Sequence, residues 1–390
     1  MKEKILVIGG SELQVPLINK VKSKGFHCGV IDYDKNAAGI KFADDYFNVS
    51  TTDEVGVFEV AKQYKPSAIV TTATDMPMRS IAYSCEKLGL RSISYDTSIK
   101  ATDKFEMIKA LEEFGVPHPY YRIIRENDDL QAIALEIKYP CVSKPVDSSG
   151  SRGVALIKEA ADFEKIIDYS LKNSRSKKVI IEEYLVGQEV SVEIICQNGV
   201  ITPVAITKKY TTGEPHFIET AHVQPAGLEE KVTKELVSVA KSACNAIGII
   251  DGVAHVEIMV TNKGPKVIEL GARLGGDYIT SHLVPLSTGI DIIWAMVQIA
   301  LGEPLNLPEF NNNGVAIKFL GAEYKEIISQ LDFDKISSEY NIVEYHFDYS
   351  KTLKTSDFQS SNDRFGHIIA KGNTGEIALN NIDQLLKECY

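Results

Sequence analysis

The sequence predicts an α/β protein that begins with a doubly wound parallel sheet. From Lys4 to about Asp96, short β-branched runs alternate with amphipathic helical stretches, and the alternation follows a βαβαβ order. "KILVIGG" reads as a buried strand, and Leu13, Leu17 and Val21 put an apolar stripe on the helix after it. "HCGVIDYD" is a second strand, "TDEVGVFEVAKQY" a helix with Thr52 as its cap, and "PSAIVTTATD" a third strand. Gly9-Gly10, with Asp32 ending the second strand, has the outline of a dinucleotide site. The stretch lacks G-x-G-x-x-G, however, and Pro16 and Leu17 occupy the zone where phosphate approach needs glycine, so a tight βα turn is the better reading. "TTATDMP" (71–77) lies at the carboxyl end of a parallel strand and is expected to help line a substrate site.

Composition narrows the function classes. The chain has 390 residues, 44% hydrophobic and 24% charged, which suits two or three globular domains. A net charge of −11 argues against nucleic acid as a partner while leaving room for a local basic pocket. The six cysteines form no CxxC pair and no disulfide framework, so reduced thiols in a cytoplasmic protein are expected. No window approaches the ~20 apolar residues of a membrane span, and no membrane contact is expected.

In the middle of the chain, Ser98 to Pro119 reads as one helix stopped by Gly115 and Pro117. Lys104 falls in its first turn, where a cation opposes the helix dipole unless it faces an anion. After a strand and a helix (Asp128 to Lys138), "KPVDSSGSRGV" is flanked by apolar strands, Pro140 to Lys144 and Gly153 to Ile157. A P-loop would open a helix; this loop instead forms a hairpin tip whose amides and hydroxyls can meet an anion. "KKVIIEEYLVGQEVSVEIIC" (177–196) is a strand, a turn at Gly187 and a second strand, which together can offer main-chain groups to an adenine edge. Asn198-Gly199 marks a hairpin, and a long amphipathic helix runs from about Glu229 to Ile247.

The most informative stretch is "GVAHVEIMVTNKGPKVIELGARLGGD" (252–277), two strands around a Thr-Asn-Lys-Gly turn. A turn centred on Lys263 makes Glu257 face Glu269, and opposed like charges destabilise a sheet unless they are neutralised. A hard divalent cation bound by both carboxylates resolves the conflict; a solvated sheet face is the alternative. The two-residue period places His255, opposite Gly271, and Arg273 on the same face.

The series "DKFEMIKALEEFGVPHP", "YPCVSKPVDSSGSRGV", "VIIEEYLVGQEVSVE" and "HVEIMVTNKGPKVIELGARLGG", preceded by the doubly wound unit, resembles the ATP-grasp superfamily over most of the chain. The resemblance implies an ATP-grasp fold with a Rossmann-like N-terminal domain (1–100), a two-lobed ATP-binding region (101–310, lid lobe about 120–185) and a small C-terminal domain (311–390). By that likeness Lys104 and Lys144 hold ATP phosphates, under a loop that includes Ser148, Ser149, Gly150 and Ser151. Glu182 and the backbone of Glu183, Tyr184 and Leu185 take adenine, and Glu189 takes the ribose hydroxyls. Glu257 and Glu269 ligate Mg2+ or Mn2+, and Arg273 acts with Lys144 on the transferring phosphate. Many members carry Asn two residues after the second metal Glu. Gly271 stands there in this sequence, which implies a two-carboxylate metal site and leaves room for the His255 imidazole.

"HVE" and "GARLGGD" look most like the carboxylate-amine ligases that join amino acids, the group that includes bacterial L-amino-acid ligases. The implied reaction activates a small-molecule carboxylate with ATP as an acyl phosphate, transfers it to an amine, and releases ADP and phosphate. Two alternatives stand beside it: an ATP-grasp carboxylase or purine-pathway ligase using bicarbonate or another small carboxylate, and a non-catalytic nucleotide-binding module. His255, Gly275, Gly276, Asp277, Glu219 and His222 are candidate substrate contacts, with Asp277 either meeting a substrate ammonium or capping the next helix. "GIDIIWAMVQIALG" (289–302) reads as a core helix or a homodimer interface.

Overall fold

The computed structural model describes residues 2–148, 152–214 and 216–388, apart from the side chains of Asp334 and Glu388. The expected loop contacts Ser149, Gly150 and Ser151 therefore lie outside the described residues. The first of three sheets is parallel, with β1 (Lys4–Ile8), β2 (His27–Ile31), β3 (Asp45–Phe47) and β4 (Ala68–Val70) in the order β3-β2-β1-β4. Helices α1 (Val15–Ser23), α2 (Glu54–Tyr64) and α3 (Met78–Leu88) connect or follow these strands. Asp53, not Thr52, caps α2, because its carboxylate accepts the Gly56 N–H at 2.9 Å. Gly10 donates its N–H to Asp32 Oδ2 at 2.8 Å, so Asp32 holds the βα turn that Gly9 makes at φ +99°.

The helix expected over 98–119 is two helices, α4 (Tyr95–Thr102) and α5 (Lys104–Glu113). Asp103 breaks it: its backbone is extended (φ −123°, ψ 114°) and its carboxylate accepts from Phe105 N and Glu106 N. Lys104 thus begins a new helix, and its own N–H donates to the Val146 carbonyl at 2.9 Å.

The second sheet is antiparallel, with β5 (Tyr121–Arg125), β6 (Cys141–Pro145), β7 (Ala155–Ile157) and β8 (Lys178–Glu183) in the order β5-β8-β6-β7. Its own core includes Ile124, Cys141, Phe163 and Ile181, with α6 (Leu130–Glu136) and α7 (Phe163–Lys172) packed on it. The third sheet has eight strands: β9 (Gly187–Gln197), β10 (Val200–Thr211), β11 (Glu219–Gln224), β12 (Gly252–Thr261), β13 (Gly264–Gly271), β14 (Gly314–Leu320), β15 (Ile342–Phe347) and β16 (Gly366–Gly372). Their order is β13-β12-β9-β10-β11-β14-β16-β15, so the segment expected as a small C-terminal domain continues the same sheet through β11 and β14.

Helix α8 (Glu230–Ile247) packs on β12 and β13. A π turn (Ile279–Leu283) leads into α9 (Val284–Thr288), and α10 (Ile292–Leu301) follows. In α10 Ile292, Val297 and Ile299 are buried against β4, β9, β12 and α1, so the helix belongs to the chain's own core. No single helix among the described residues is long and apolar enough to cross a membrane.

Candidate active site

The β12–β13 hairpin turns at Asn262-Lys263, so its centre lies half a residue before Lys263 and alone would set Glu257 opposite Ile268. A bulge shifts the register between Glu257 and Ile258, leaving Ile268 over, and Glu257 pairs with Glu269 as expected. Their opposition is relieved by lysines. Lys209 Nζ lies 2.5 Å from Glu257 Oε1, and Lys104 Nζ lies 2.7 Å from Glu269 Oε1. The conflict read from the sequence therefore does not by itself demand a metal. Two facing carboxylates remain a hard-oxygen donor set suited to Mg2+ or Mn2+. No group of three or more His, Cys, Asp and Glu residues is poised to ligate a metal among the described residues.

Lys209 escaped the sequence reading, since Lys208-Lys209 looks like a solvated pair. On β10, however, alternation turns Lys208 outward and Lys209 inward, leaving the Lys209 side chain 3% exposed. Its ammonium reaches Glu189 at 3.3 Å and Glu219 at 4.0 Å in addition to Glu257. Burial works against its charge, but Glu257, Glu189 and Glu219 outweigh burial and hold its pKa well above the ordinary lysine value. Conversely, burial would raise the Glu257 carboxyl, and Lys209 and His255 pull it well below the usual range.

His255 is buried rather than open to a substrate. Its Nδ1 is 2.5 Å from Glu193 Oε1 and its Nε2 is 3.2 Å from Glu257 Oε1. Burial disfavours the imidazolium, yet these carboxylates, Glu193 foremost, lift its pKa to about 9, so both ring nitrogens donate at neutral pH. The glycine that makes room for this ring is Gly275, where a Cβ would come within 2.6 Å of His255 Nδ1. At Gly271, the position expected to serve that purpose, a Cβ would instead meet Asp75 Oδ1 at 2.6 Å. Asp75, from the "TTATDMP" segment, holds Arg273 in a bidentate pair, with Nε–Oδ1 and Nη2–Oδ2 both 2.9 Å. Arg273 lies beyond the end of β13 and is positioned by the N-terminal unit.

The remaining substrate candidates converge on Arg364, which the sequence did not point to. Arg364 Nη2 donates to Asp277 Oδ2 at 2.9 Å and to the Glu219 carbonyl at 3.0 Å, and its guanidinium lies 3.6 Å from the Phe319 ring centroid. Asp277 is thus neither a helix cap nor unpaired; Tyr278 precedes the π turn, and both residues adopt left-handed backbone (φ +49° and +64°). Despite burial, Arg364 and His222 hold the Asp277 carboxyl far below its ordinary value. Burial and the Asp277 charge raise Glu219, and burial keeps His222 neutral. Gly276 sits over Ala73 of the N-terminal unit. A cavity of about 330 Å³ opens beside this cluster, between the Ser11–Leu13 turn and the C-terminal strands, with Lys351 and His367 on its wall.

On the side expected to take the nucleotide, Lys144 on β6, its side chain 12% exposed, lies 2.5 Å from Glu182 on β8. Burial opposes its charge, but Glu182 foremost, with Glu269 and Glu257, raises its pKa above the ordinary lysine value. Of the hinge residues, Glu183 uses its N–H on the Tyr120 carbonyl at 2.8 Å and its carboxylate on Lys266 at 2.6 Å, so it offers no amide to adenine. Tyr184 lies after the end of β8 with its ring centroid 6.3 Å from that of Phe217, and Leu185 and Val186 complete the link to β9. Lys104 Nζ also donates to the Ser148 carbonyl at 3.2 Å, joining the hairpin loop to Glu269.

Residues 137–281 match the model of the ATP-grasp domain. The uncharacterized protein y4rH of Sinorhizobium fredii is 28% identical over 267 residues, 67% of this chain and 55% of that protein. Alanine–anticapsin ligase of Bacillus subtilis is 27% identical over 314 residues, 74% of this chain and 66% of that protein. The matches thus span between about half and two thirds of those relatives' lengths. An L-amino acid ligase from Bacillus licheniformis has the same fold, with a TM-score of 0.81 over 100% of this chain and 98% of that one at 19% identity.

Proposed function

We propose that the chain, whose residues 137–281 match the ATP-grasp domain model, is an ADP-forming ligase that joins a small-molecule carboxylate to an amine. The observation that carries the reading is the facing pair Glu257 and Glu269, with Lys104 on one carboxylate and the Asp75-held Arg273 beside the hairpin. Mg2+ or Mn2+ bound by that pair would offset charge on the phosphoryl oxygens. Lys104, at the start of α5, and Lys144 face the triphosphate, Tyr184 and Leu185 with Glu182 border adenine, and Glu189 takes the ribose. The substrate carboxylate attacks the γ-phosphorus and ADP leaves; Arg273, its orientation locked by Asp75, stabilises the charge on the acyl phosphate. The amine then attacks the acyl carbon and phosphate leaves. Glu219, its carboxyl raised by burial and by Asp277, accepts the amine's proton. The opposite charges of Asp277 and Lys351 on the wall of the cavity beside Arg364 suit a zwitterionic amine, an amino acid. The resemblance of the chain to alanine–anticapsin ligase supports the same reading.

The test is ADP release across pairs of amino acids, other small acids and amines. Release that requires both a carboxylate and an amine is expected; release dependent on bicarbonate would turn the reading to a carboxylase, and no release with any acid would sink it. Glu269→Gln should abolish turnover with an unchanged circular dichroism spectrum, and retained turnover would mean that the facing glutamates are not the reacting centre.

A further inference from the structure

A cavity of about 420 Å³, which shares no lining residue with the cavity beside Arg364, lies between α3, α5 and the turn before β8. Lys104, Ser148 and Glu269 form its inner end, so it is continuous with the place where the phosphoryl group is transferred under the ligase reading. Its acidic residues are engaged. Asp75 is committed to Arg273, and Glu269 to Lys104. The Asp147 carboxylate accepts from Ser174 Oγ, Arg175 N and Ser176 N at 2.7–3.2 Å, and both Glu54 oxygens accept from the Tyr95 hydroxyl within 3.0 Å. Two guanidiniums are not balanced in this way. Arg79, from α3, spends its Nε on Thr102 Oγ1 at 2.6 Å. Arg175, an exposed residue in the turn between α7 and β8, gives Nη2 to the Asp147 carbonyl at 2.9 Å, 3.3 Å from Met76 Sδ. Among the described residues neither guanidinium has a carboxylate partner, although both line the cavity.

Two guanidiniums from separate units, facing one polar cavity, are the arrangement that planar recognition of a carboxylate or phosphate requires. The reacting carboxylate must sit at the inner end, by Lys104 and Glu269, and so cannot also be the group that Arg79 and Arg175 meet. The volume leaves space beyond it. We infer that the acid activated by this protein carries a second anionic group, a carboxylate or a phosphate, which is bound between Arg79 and Arg175. The inference rests on the ligase reading and adds the substrate class to it.

The experiment compares kcat/KM for ADP release with aspartate and glutamate against asparagine and glutamine, and with phosphoserine against serine. The doubly anionic acids should be favoured by about tenfold or more, the factor that ~1.4 kcal/mol represents. The phosphate arm distinguishes which anion is preferred. Arg79→Met and Arg175→Met should bring the ratio towards one, and Arg79→Lys, which keeps the charge, should retain part of it. A wild-type preference for the neutral acids, or a ratio unchanged in both Met variants, would overturn the inference with the ligase reading intact. So would a raised KM for ATP in Arg79→Met with the ratio unchanged, since the guanidinium would then serve the nucleotide. ADP release with no acid at all would instead overturn the ligase reading itself.

Discussion

Replacing Lys209 by Met removes one ammonium from among three carboxylates and leaves the packing volume nearly unchanged. The wild-type distances are 2.5 Å to Glu257, 3.3 Å to Glu189 and 4.0 Å to Glu219. Breaking a buried ion pair by removing one partner costs roughly 3–5 kcal/mol. Here the carboxylate side chains keep 24–28% exposure and His255 still donates to Glu257. These lower the expected loss to about 2–4 kcal/mol, a fall in Tm of roughly 2–5 °C for a chain of 390 residues. The pH dependence follows from linkage. The folded-state pKa of Glu257 is depressed, so its contribution is present above the unfolded value and is lost as pH falls through the folded one. Lys209 titrates far above this range. The gap between variant and wild type is therefore widest from about pH 6 to 8 and narrows below about pH 4.5, where the variant's carboxyls take up protons. Thermal unfolding followed by circular dichroism in EDTA across pH 4–8 measures it. Equal Tm values at pH 7.5, or a gap that widens towards pH 4, would refute the neutralising role of Lys209.

Gly275→Ala drives a Cβ to 2.6 Å from His255 Nδ1 and 3.1 Å from Glu193 Oε1, so the imidazole must leave Glu193. Overpacking of about 1–3 kcal/mol is expected, seen as a lower Tm together with a lower kcat; a variant with parental stability and turnover would show that the close approach is dispensable. Arg364→Lys keeps the charge but cannot also reach Asp277 and the Glu219 carbonyl while covering Phe319, so KM for the amine substrate should rise about tenfold with KM for ATP unchanged. Unchanged amine KM values would remove Arg364 from the substrate wall.

What the sequence makes legible is what depends on period and local chemistry. Apolar periodicity marks β1, β9, α8 and the β12–β13 hairpin, because each buries one face regardless of its neighbours. The facing glutamates came out correctly for an incomplete reason: the turn centre was placed half a residue late, and the bulge at Ile268 makes up the difference. The break at Asp103 was written in the sequence, since an Asp just before Lys104-Phe-Glu can cap a second helix. Lys209, Glu193 and Arg364 were not legible. Each is a charged residue on a strand or in a loop, and only the folded sheet brings it to carboxylates or a histidine 48 to 145 positions away. The opposite misreading of Gly271 and Gly275 has the same origin, for a glycine's purpose is set by what approaches it in space.

The eight-stranded sheet also fixes how the cleft can change shape. From β13, which carries Glu269, to β16, which follows Arg364, every neighbouring pair is hydrogen-bonded, so the distance between phosphoryl-transfer end and acceptor end is set by an unbroken ladder. Lateral spreading would have to break strand pairs. The four-stranded sheet that carries Lys144 shares none of those pairings, so under the proposed ligase reading a nucleotide would be admitted by lifting that sheet rather than by spreading the ladder. A cleft of that kind would work as a hinged cover over a rigid bench, with the spacing along the bench fixed by the ladder.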